Sequence, residues 1–265
     1  MKAAICPGCG APVQFRWSDA VQTVCEYCQS VLVRHDIDLE RVGKAATIPE
    51  DASPIQLGTE GIYRNKAFHV VGRIVYAYEQ GSWNEWHLLF QDGISGWLSD
   101  AQLEYAVSFV ASEKEIPPED AIKRGDQFTW KNNGYQVTSI TRAHYVSVAG
   151  DLPFVYWDKS NVIFADLRTI SGGFATIDYT ETPPLLFLGD AVDFDTLKLK
   201  NLRDFEGGHR WPLPSLKFKR SPAPIAAALS NARVRAEREC HMYSVPVGAG
   251  CADARVAGFA AVSVH

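Results

Sequence analysis

From residue 58 onward, apolar positions gather in short runs rich in Val, Ile and Tyr, with Gly, Asn and Asp between them. One set of runs falls at 68–78, 86–90, 96–99 and 105–110. A second set follows at 135–141, 145–149, 154–157, 162–167 and 174–179. Short β-branched and aromatic runs separated by turn formers predict strands, and many of them predict an antiparallel sandwich or small barrels. Nearer the N-terminus, Val13-Gln-Phe15-Arg-Trp17 alternates as a strand, Ser18-Asp19 reads as a turn, and Val21-Gln-Thr-Val24 reads as the return strand. The stretch His35-Asp-Ile-Asp-Leu-Glu-Arg-Val42 predicts a short helix. It opens a linker over 35–57 that ends in a polar run with Pro49 and Pro54. The expected chain is mainly β.

The β region contains an internal repeat at an offset of 67 residues. Gly58, Asn65 and Val70 fall on Gly125, Asn132 and Val137. Tyr63/Trp130, Arg64/Lys131, Ala67/Gly134 and Phe68/Tyr135 match in kind. Without a gap, the same register sets Tyr78 on Tyr145, Phe90 on Trp157 and Trp97 on Phe164. Periodic self-similarity of this kind predicts two tandem pseudo-repeated β modules, over about 58–110 and 125–180 within a β domain at 58–205. Asn133-Gly134 predicts a type I′ hairpin turn, because both of its central residues must adopt positive φ. Pro117-Pro118 marks the joint between copies, and 119–123 reads as a helical turn.

Candidate chemistry is concentrated at the start of the chain. Cys6-Pro-Gly-Cys9-Gly10 and Cys25-Glu-Tyr-Cys28 are two CxxC pairs with fifteen residues between them. This spacing predicts a zinc ribbon over residues 1–34, with Cys6, Cys9, Cys25 and Cys28 completing a closed tetrahedral shell that leaves no position for water. A hairpin this small has too little apolar surface to fold alone, so metal binding and folding are expected to be coupled. Iron in a rubredoxin-like site takes the same ligands.

Composition narrows the classes. The chain has 265 residues, is 46% hydrophobic and 22% charged, and carries a net charge of −5, which argues against electrostatic binding to nucleic acid. No apolar run reaches membrane-spanning length and no signal peptide is evident. The expected location is therefore the cytoplasm of a bacterial-type cell, where thiols stay reduced. After about residue 220 the chain turns alanine-rich and lysine-free. Residues 206–265 are expected to be an extension and a poorly structured or partly helical tail. From about 221 a frame-shifted ending is one reading; Cys240 and Cys251 are unpaired by spacing, and Cys240-His241 is a minor candidate for metal ligation.

Between the strands, the segment Trp83-Asn-Glu85-Trp86-His87 combines aromatic, acidic and basic groups. Trp83, Glu85, Trp86 and Trp97 are a candidate ligand or partner surface, since an aromatic wall beside Glu85 and Glu79 suits a cation. Glu85 and His87 share one strand face, so with Asp92 they are a candidate acid–base set. Asp92-Gly93 reads most simply as a turn.

The segments Gly58-Thr-Glu-Gly61-Ile-Tyr63, Val71-Gly72-Arg73-Ile74, Trp83-Asn-Glu85-Trp86-His-Leu-Leu-Phe90-Gln-Asp92-Gly93 and Gly96-Trp97-Leu98-Ser99 resemble the domain of unknown function 4178 family over about 55–205. The likeness implies a bacterial protein in which an N-terminal zinc ribbon precedes the β domain. It implies no activity. Genes of similar proteins lie near polyamine-synthesis and small membrane-protein genes, which points to a polyamine or a membrane-associated complex as a partner. The residues and the likeness together lead to a non-enzymatic adaptor or scaffold that binds a protein partner through sheet edges and aromatic patches. The second expectation is a small-cation or polyamine sensor built on Trp83, Glu85 and Trp86.

Overall fold

The computed structural model describes residues 4–35, 38–48, 51–112, 115–155 and 161–204. These residues hold fifteen strands and one 3-10 turn, Phe194–Leu197, and every strand pairing among them is antiparallel. The chain is mainly β, as the short apolar runs predict. The alanine-rich tail, with Cys240, His241 and Cys251, lies outside the described residues.

The N-terminal part is a pair of small sheets. Strands β1 (Ala4–Ile5) and β2 (Pro12–Val13) pair with each other, while β3 (Gln22–Val24), β4 (Ser30–His35) and β5 (Asp38–Lys44) form a three-stranded sheet. Two expectations change here. The predicted helix over 35–42 is strand β5, which pairs with β4 at Val33↔Glu40 and Arg34↔Leu39. An exposed edge of β4 recruits it, and pairing overrides a weak local helix preference. The predicted strand over 13–17 stops at Val13, because the Arg16 and Trp17 amides bond to a side chain far along the chain. The segment 35–57, expected as a linker, thus contains a strand, and its end is tied down: Asp51 pairs with Arg73 and Arg203, and Ile55 is buried.

The β domain consists of two meanders of five strands. The first is β6 (Glu60–Tyr63), β7 (Lys66–Tyr78), β8 (Gly81–Phe90), β9 (Ser95–Ala101) and β10 (Glu104–Val110). The second is β11 (Gln127–Trp130), β12 (Asn133–Gly150), β13 (Asn161–Arg168), β14 (Gly173–Asp178) and β15 (Leu185–Val192). They join twice, β10 to β15 at Phe109↔Leu188 and β7 to β12 at Ile74↔Val148. The two junctions close β7–β8–β9–β10–β15–β14–β13–β12 into a ring of eight strands. Closure satisfies backbone groups that an open sheet would leave unpaired. Strands β6 and β11 pair outside the ring with the long strands β7 and β12.

The opening hairpins are alike in detail. Arg64 and Asn65 turn at φ 47° and 62°, and Lys131 and Asn132 at 47° and 63°. Gly58 N–H donates to Val70 O at 2.8 Å, and Gly125 N–H to Val137 O at 2.9 Å. The predicted Asn133-Gly134 turn is therefore displaced by two residues. Trp130 faces Asn133, so Lys131 and Asn132 form the loop and Gly134 begins a strand. The gapless offset of 67 also fails beyond this hairpin. Val70 faces Leu88, whereas Val137 faces Leu167, 79 residues after Leu88. The physical cause is length: β12 has 18 residues and β7 has 13. The predicted strands at 135–141 and 145–149 are one strand, and Trp157 lies outside the described residues.

Three apolar clusters organise the domain. One gathers Phe68, Trp86, Leu88 and Leu98 under Ile55 and Leu197. Another gathers Trp130, Val137, Leu167 and Ile177. The third joins Ile74, Tyr76, Trp97 and Phe187 of the ring to Val24 and Val31 of the N-terminal sheet. The N-terminal part therefore shares a core with the ring.

Candidate metal centre

The two CxxC turns are built alike. Gly10 N–H donates to Cys6 O and Cys6 N–H to Ala11 O, both at 2.9 Å. Gln29 N–H donates to Cys25 O and Cys25 N–H to Ser30 O, again at 2.9 Å. Each turn ends on a positive-φ residue, Gly10 at 77° and Gln29 at 59°. These loops bring four sulfurs within 4.8 Å of one another. Sγ of Cys6 is 3.7 Å from Sγ of Cys28, and Sγ of Cys9 is 3.8 Å from Sγ of Cys25. A tetrahedral shell with metal–sulfur bonds of about 2.3 Å places its sulfurs about 3.8 Å apart, so the donors fit a single ion. The cysteines are not paired as disulfides. Cys6 and Cys25 are buried and Cys9 is exposed. The Ser30 hydroxyl, 3.1 Å from Cys28 Sγ, and the Ser30 amide pull the Cys28 thiol down to about 6, while Cys9, against the pull of the Ala11 amide, is pushed up by burial and its neighbouring thiols. Ser30 also crowds the first turn: a Cβ on Gly8 would lie 2.7 Å from its Oγ.

Behind the metal centre the ribbon docks on the ring through Asp151, a residue the sequence did not single out. Its Oδ2 accepts from Arg16 N–H at 2.6 Å and from Trp17 N–H at 3.1 Å, and its Oδ1 accepts from Thr23 Oγ1 at 2.6 Å. Its neighbour Leu152 extends the contact as a strand would. Leu152 O accepts from Val21 and Gln22, and Leu152 N–H donates to Gln22 O at 2.8 Å. Burial raises the Asp151 carboxyl above the usual carboxylate range, while Thr23 and the two amides oppose the rise. No local pattern marks Asp151, because its partners lie more than 120 positions away.

The aromatic and acidic candidates do not converge. Trp86 is 1% exposed and points to the cluster around Phe68 and Leu88. There Arg73 lies over its ring and its Nε1 donates to Asp100 at 3.3 Å. Trp97 is 7% exposed and belongs to the cluster shared with the ribbon. Trp83 and Glu85 do meet, since Trp83 Nε1 donates to Glu85 Oε1 at 3.0 Å. Ser99 Oγ donates to both Glu85 oxygens, and burial pushes this carboxyl up to about 8 despite those bonds. The expected surface of Trp83, Glu85, Trp86 and Trp97 is thus divided between opposite faces of β8 and two buried clusters. Strand alternation is the reason, as neighbouring residues on β8 face opposite sides.

The candidate acid–base set is divided too. His87 is fully buried between the rings of Trp17 and Trp97. Its Nδ1 is 2.9 Å from Asp151 O and its Nε2 is 2.7 Å from Ser95 Oγ. Burial lowers its pKa to about 4, so it is a neutral packing residue at neutral pH. Asp92 occupies the β8–β9 turn, where it accepts from Lys66 at 2.5 Å and from Ile94 N–H. Glu85, His87 and Asp92 share no hydrogen bond with one another among the described residues.

The ring coincides with a recognised sequence family. The family model described as "Domain of unknown function (DUF4178)" matches residues 56–194, more than half of the chain. The chain belongs to the DUF4178 family. The match covers both meanders of the ring, from before β6 to the start of the 3-10 turn, and leaves the four-cysteine ribbon outside the DUF4178 domain. No curated protein and no solved structure matches the chain. Among the described residues no helix is long and apolar enough to cross a membrane.

Proposed function

We propose that the four thiolates hold zinc as a structural ion, and that the chain is an adaptor which binds a protein partner rather than an enzyme. The observation that carries this reading is the surface beside the sulfurs. Ile5, immediately before the first CxxC turn, is 61% exposed, and Tyr27, inside the second, is 71% exposed. Two large apolar side chains on a tip that the metal would hold rigid suit a protein contact. Four sulfur donors saturate a tetrahedral ion, so the centre has no open position for substrate. The locked, neutral His87 and the divided Glu85 and Asp92 add no assembled base or nucleophile.

The test uses the full chain expressed in its native host, with in-cell crosslinking and mass spectrometry. A partner that crosslinks to the wild type and is lost in both Cys25→Ser and Tyr27→Ala supports the adaptor reading. Absence of any partner specific to the wild type counts decisively against it. Metal analysis of the same preparation tests the zinc assignment separately, with one zinc per chain expected.

A further inference from the structure

Away from the ribbon, the two opening hairpins bring their turn cations to one groove. It lies where β10 meets β15, has a volume of about 380 Å³, and receives Arg64 from one turn and Lys131 from the other. Leu188, Gly189 and Asp190 of β15 line it together with Thr169 and Ser171. A volume of this size holds a small metabolite.

Its electrostatics are specific. Asp190 Oδ2 accepts from the Tyr63 hydroxyl at 2.5 Å and from Arg64 Nη2 at 2.6 Å. The Lys131 ammonium has no ion-pair partner, and the Tyr135 hydroxyl no hydrogen bond, among the described residues. Two cations against one carboxylate make the groove locally positive on a chain of net charge −5. Both cations sit at φ 47°, a left-handed conformation that costs a long side chain about 1 kcal/mol and that type I′ turns fill most readily with Asn, Asp or Gly. Two basic residues held at this strained position over one groove point to a ligand with negative charge. The aromatic rings do not offer a stacking platform. Tyr63 and Tyr135 are 7% and 5% exposed, so little of either ring is open to the groove. With Thr169, Ser171 and Asn133, the walls are rich in hydroxyl and amide groups suited to a ligand with several hydroxyls.

We propose that this groove binds a small polyhydroxylated phosphate monoester, with Arg64 and Lys131 holding the phosphate and Asp190, Tyr135 and the Thr169–Ser171 turn holding the hydroxyls. Isothermal titration of the full chain with ribose 5-phosphate, glucose 6-phosphate and glycerol 3-phosphate tests it, with free ribose and inorganic phosphate as controls. At least one ester is expected to bind about tenfold or more tighter than either control, and to lose about tenfold in affinity in Lys131→Gln and in Asp190→Asn. Lys131 is exposed, so its replacement leaves the fold intact and decides the matter even if the Asp190 variant misfolds. Three results overturn the proposal: no ester binding at millimolar concentration, binding unchanged in Lys131→Gln, or inorganic phosphate binding as tightly as the best ester.

Discussion

Thr23 Oγ1 donates to Asp151 Oδ1 at 2.6 Å, joining positions 128 apart in sequence. Thr23 is two residues before Cys25 of the four-cysteine cluster, and Asp151 follows the strand that closes the ring. This bond, with the Arg16 and Trp17 amides on the other carboxylate oxygen, holds the four-cysteine ribbon against the DUF4178 domain.

Replacing Asp151 by Ala leaves three buried or half-buried donors without their acceptor. The expected loss is about 2–4 kcal/mol of unfolding free energy, with metal stoichiometry unchanged. Urea denaturation measures the first and metal analysis the second. Trp17 packs on His87 with ring centroids 5.1 Å apart, so tryptophan emission should also shift to the red. A wild-type midpoint in this variant would mean that the apolar contacts and the Leu152–Gln22 backbone pairing hold the ribbon without the carboxylate.

The four sulfurs should take cobalt in place of zinc and show the near-ultraviolet charge-transfer absorption of a tetrathiolate site. Cys25→Ser should lose most of that absorption and should unfold the ribbon, since structural zinc contributes roughly 10–16 kcal/mol of apparent binding energy in small domains. Visible red absorbance in freshly purified protein would instead assign the site to iron.

The contribution of Glu85 to stability should fall as pH rises from 6.5 to 8. The folded chain keeps a proton on Glu85 up to about 8, whereas an ordinary glutamate releases it near 4.5. Folding therefore takes up a proton between those values, and stability declines as pH rises through the window. His87 acts in the opposite sense below 6.5, where the unfolded chain binds a proton that the folded chain refuses until about 4. Above 6.5 the opposing group is Cys28, whose thiol is held down to about 6, so the Glu85 contribution is read as the difference between the wild type and a Glu85→Gln variant. Its slope is at most about 1.4 kcal/mol per pH unit, giving a fall of roughly 2 kcal/mol by pH 8. Glu85→Gln should remove that contribution, so the stability gap between wild type and variant should change by about this amount between pH 6.5 and 8 in paired urea titrations. Parallel curves for the two proteins would show that Glu85 is ionised in the folded chain.

Gly189→Ala should break the β10–β15 junction. A Cβ there would lie 1.8 Å from Val107 O, a backbone atom that cannot move without parting the strands. The expected loss is about 3 kcal/mol or more, read as a lowered thermal midpoint. Faster amide exchange in β10 and β15 than in β7 and β12 would locate the break.

What was legible in the sequence was local. The spacing of Cys6, Cys9, Cys25 and Cys28 marked the cluster that the four sulfurs form, because two residues between cysteines set the geometry of each turn. The match of Arg64-Asn65 with Lys131-Asn132 marked equivalent turns, although the Asn-Gly signal two residues later drew the turn to the wrong place. Strand content followed from short apolar runs. Strand β5 did not, because its partner β4, not its own residues, makes it extended. The groove cations were noted as a repeat match and not as neighbours.

By itself, then, the chain determined its antiparallel β character and the make-up of its four-cysteine cluster, since bond geometry and backbone preference act over a few residues. The tertiary structure alone decided that eight strands close into a ring, that Asp151 receives the ribbon, and that Trp86 and Trp97 are buried in separate clusters. It also decided that Glu85 keeps its proton and His87 does not take one. Those outcomes depend on which distant segments exclude water from which side chain, and that is settled by strand register and closure across more than a hundred residues.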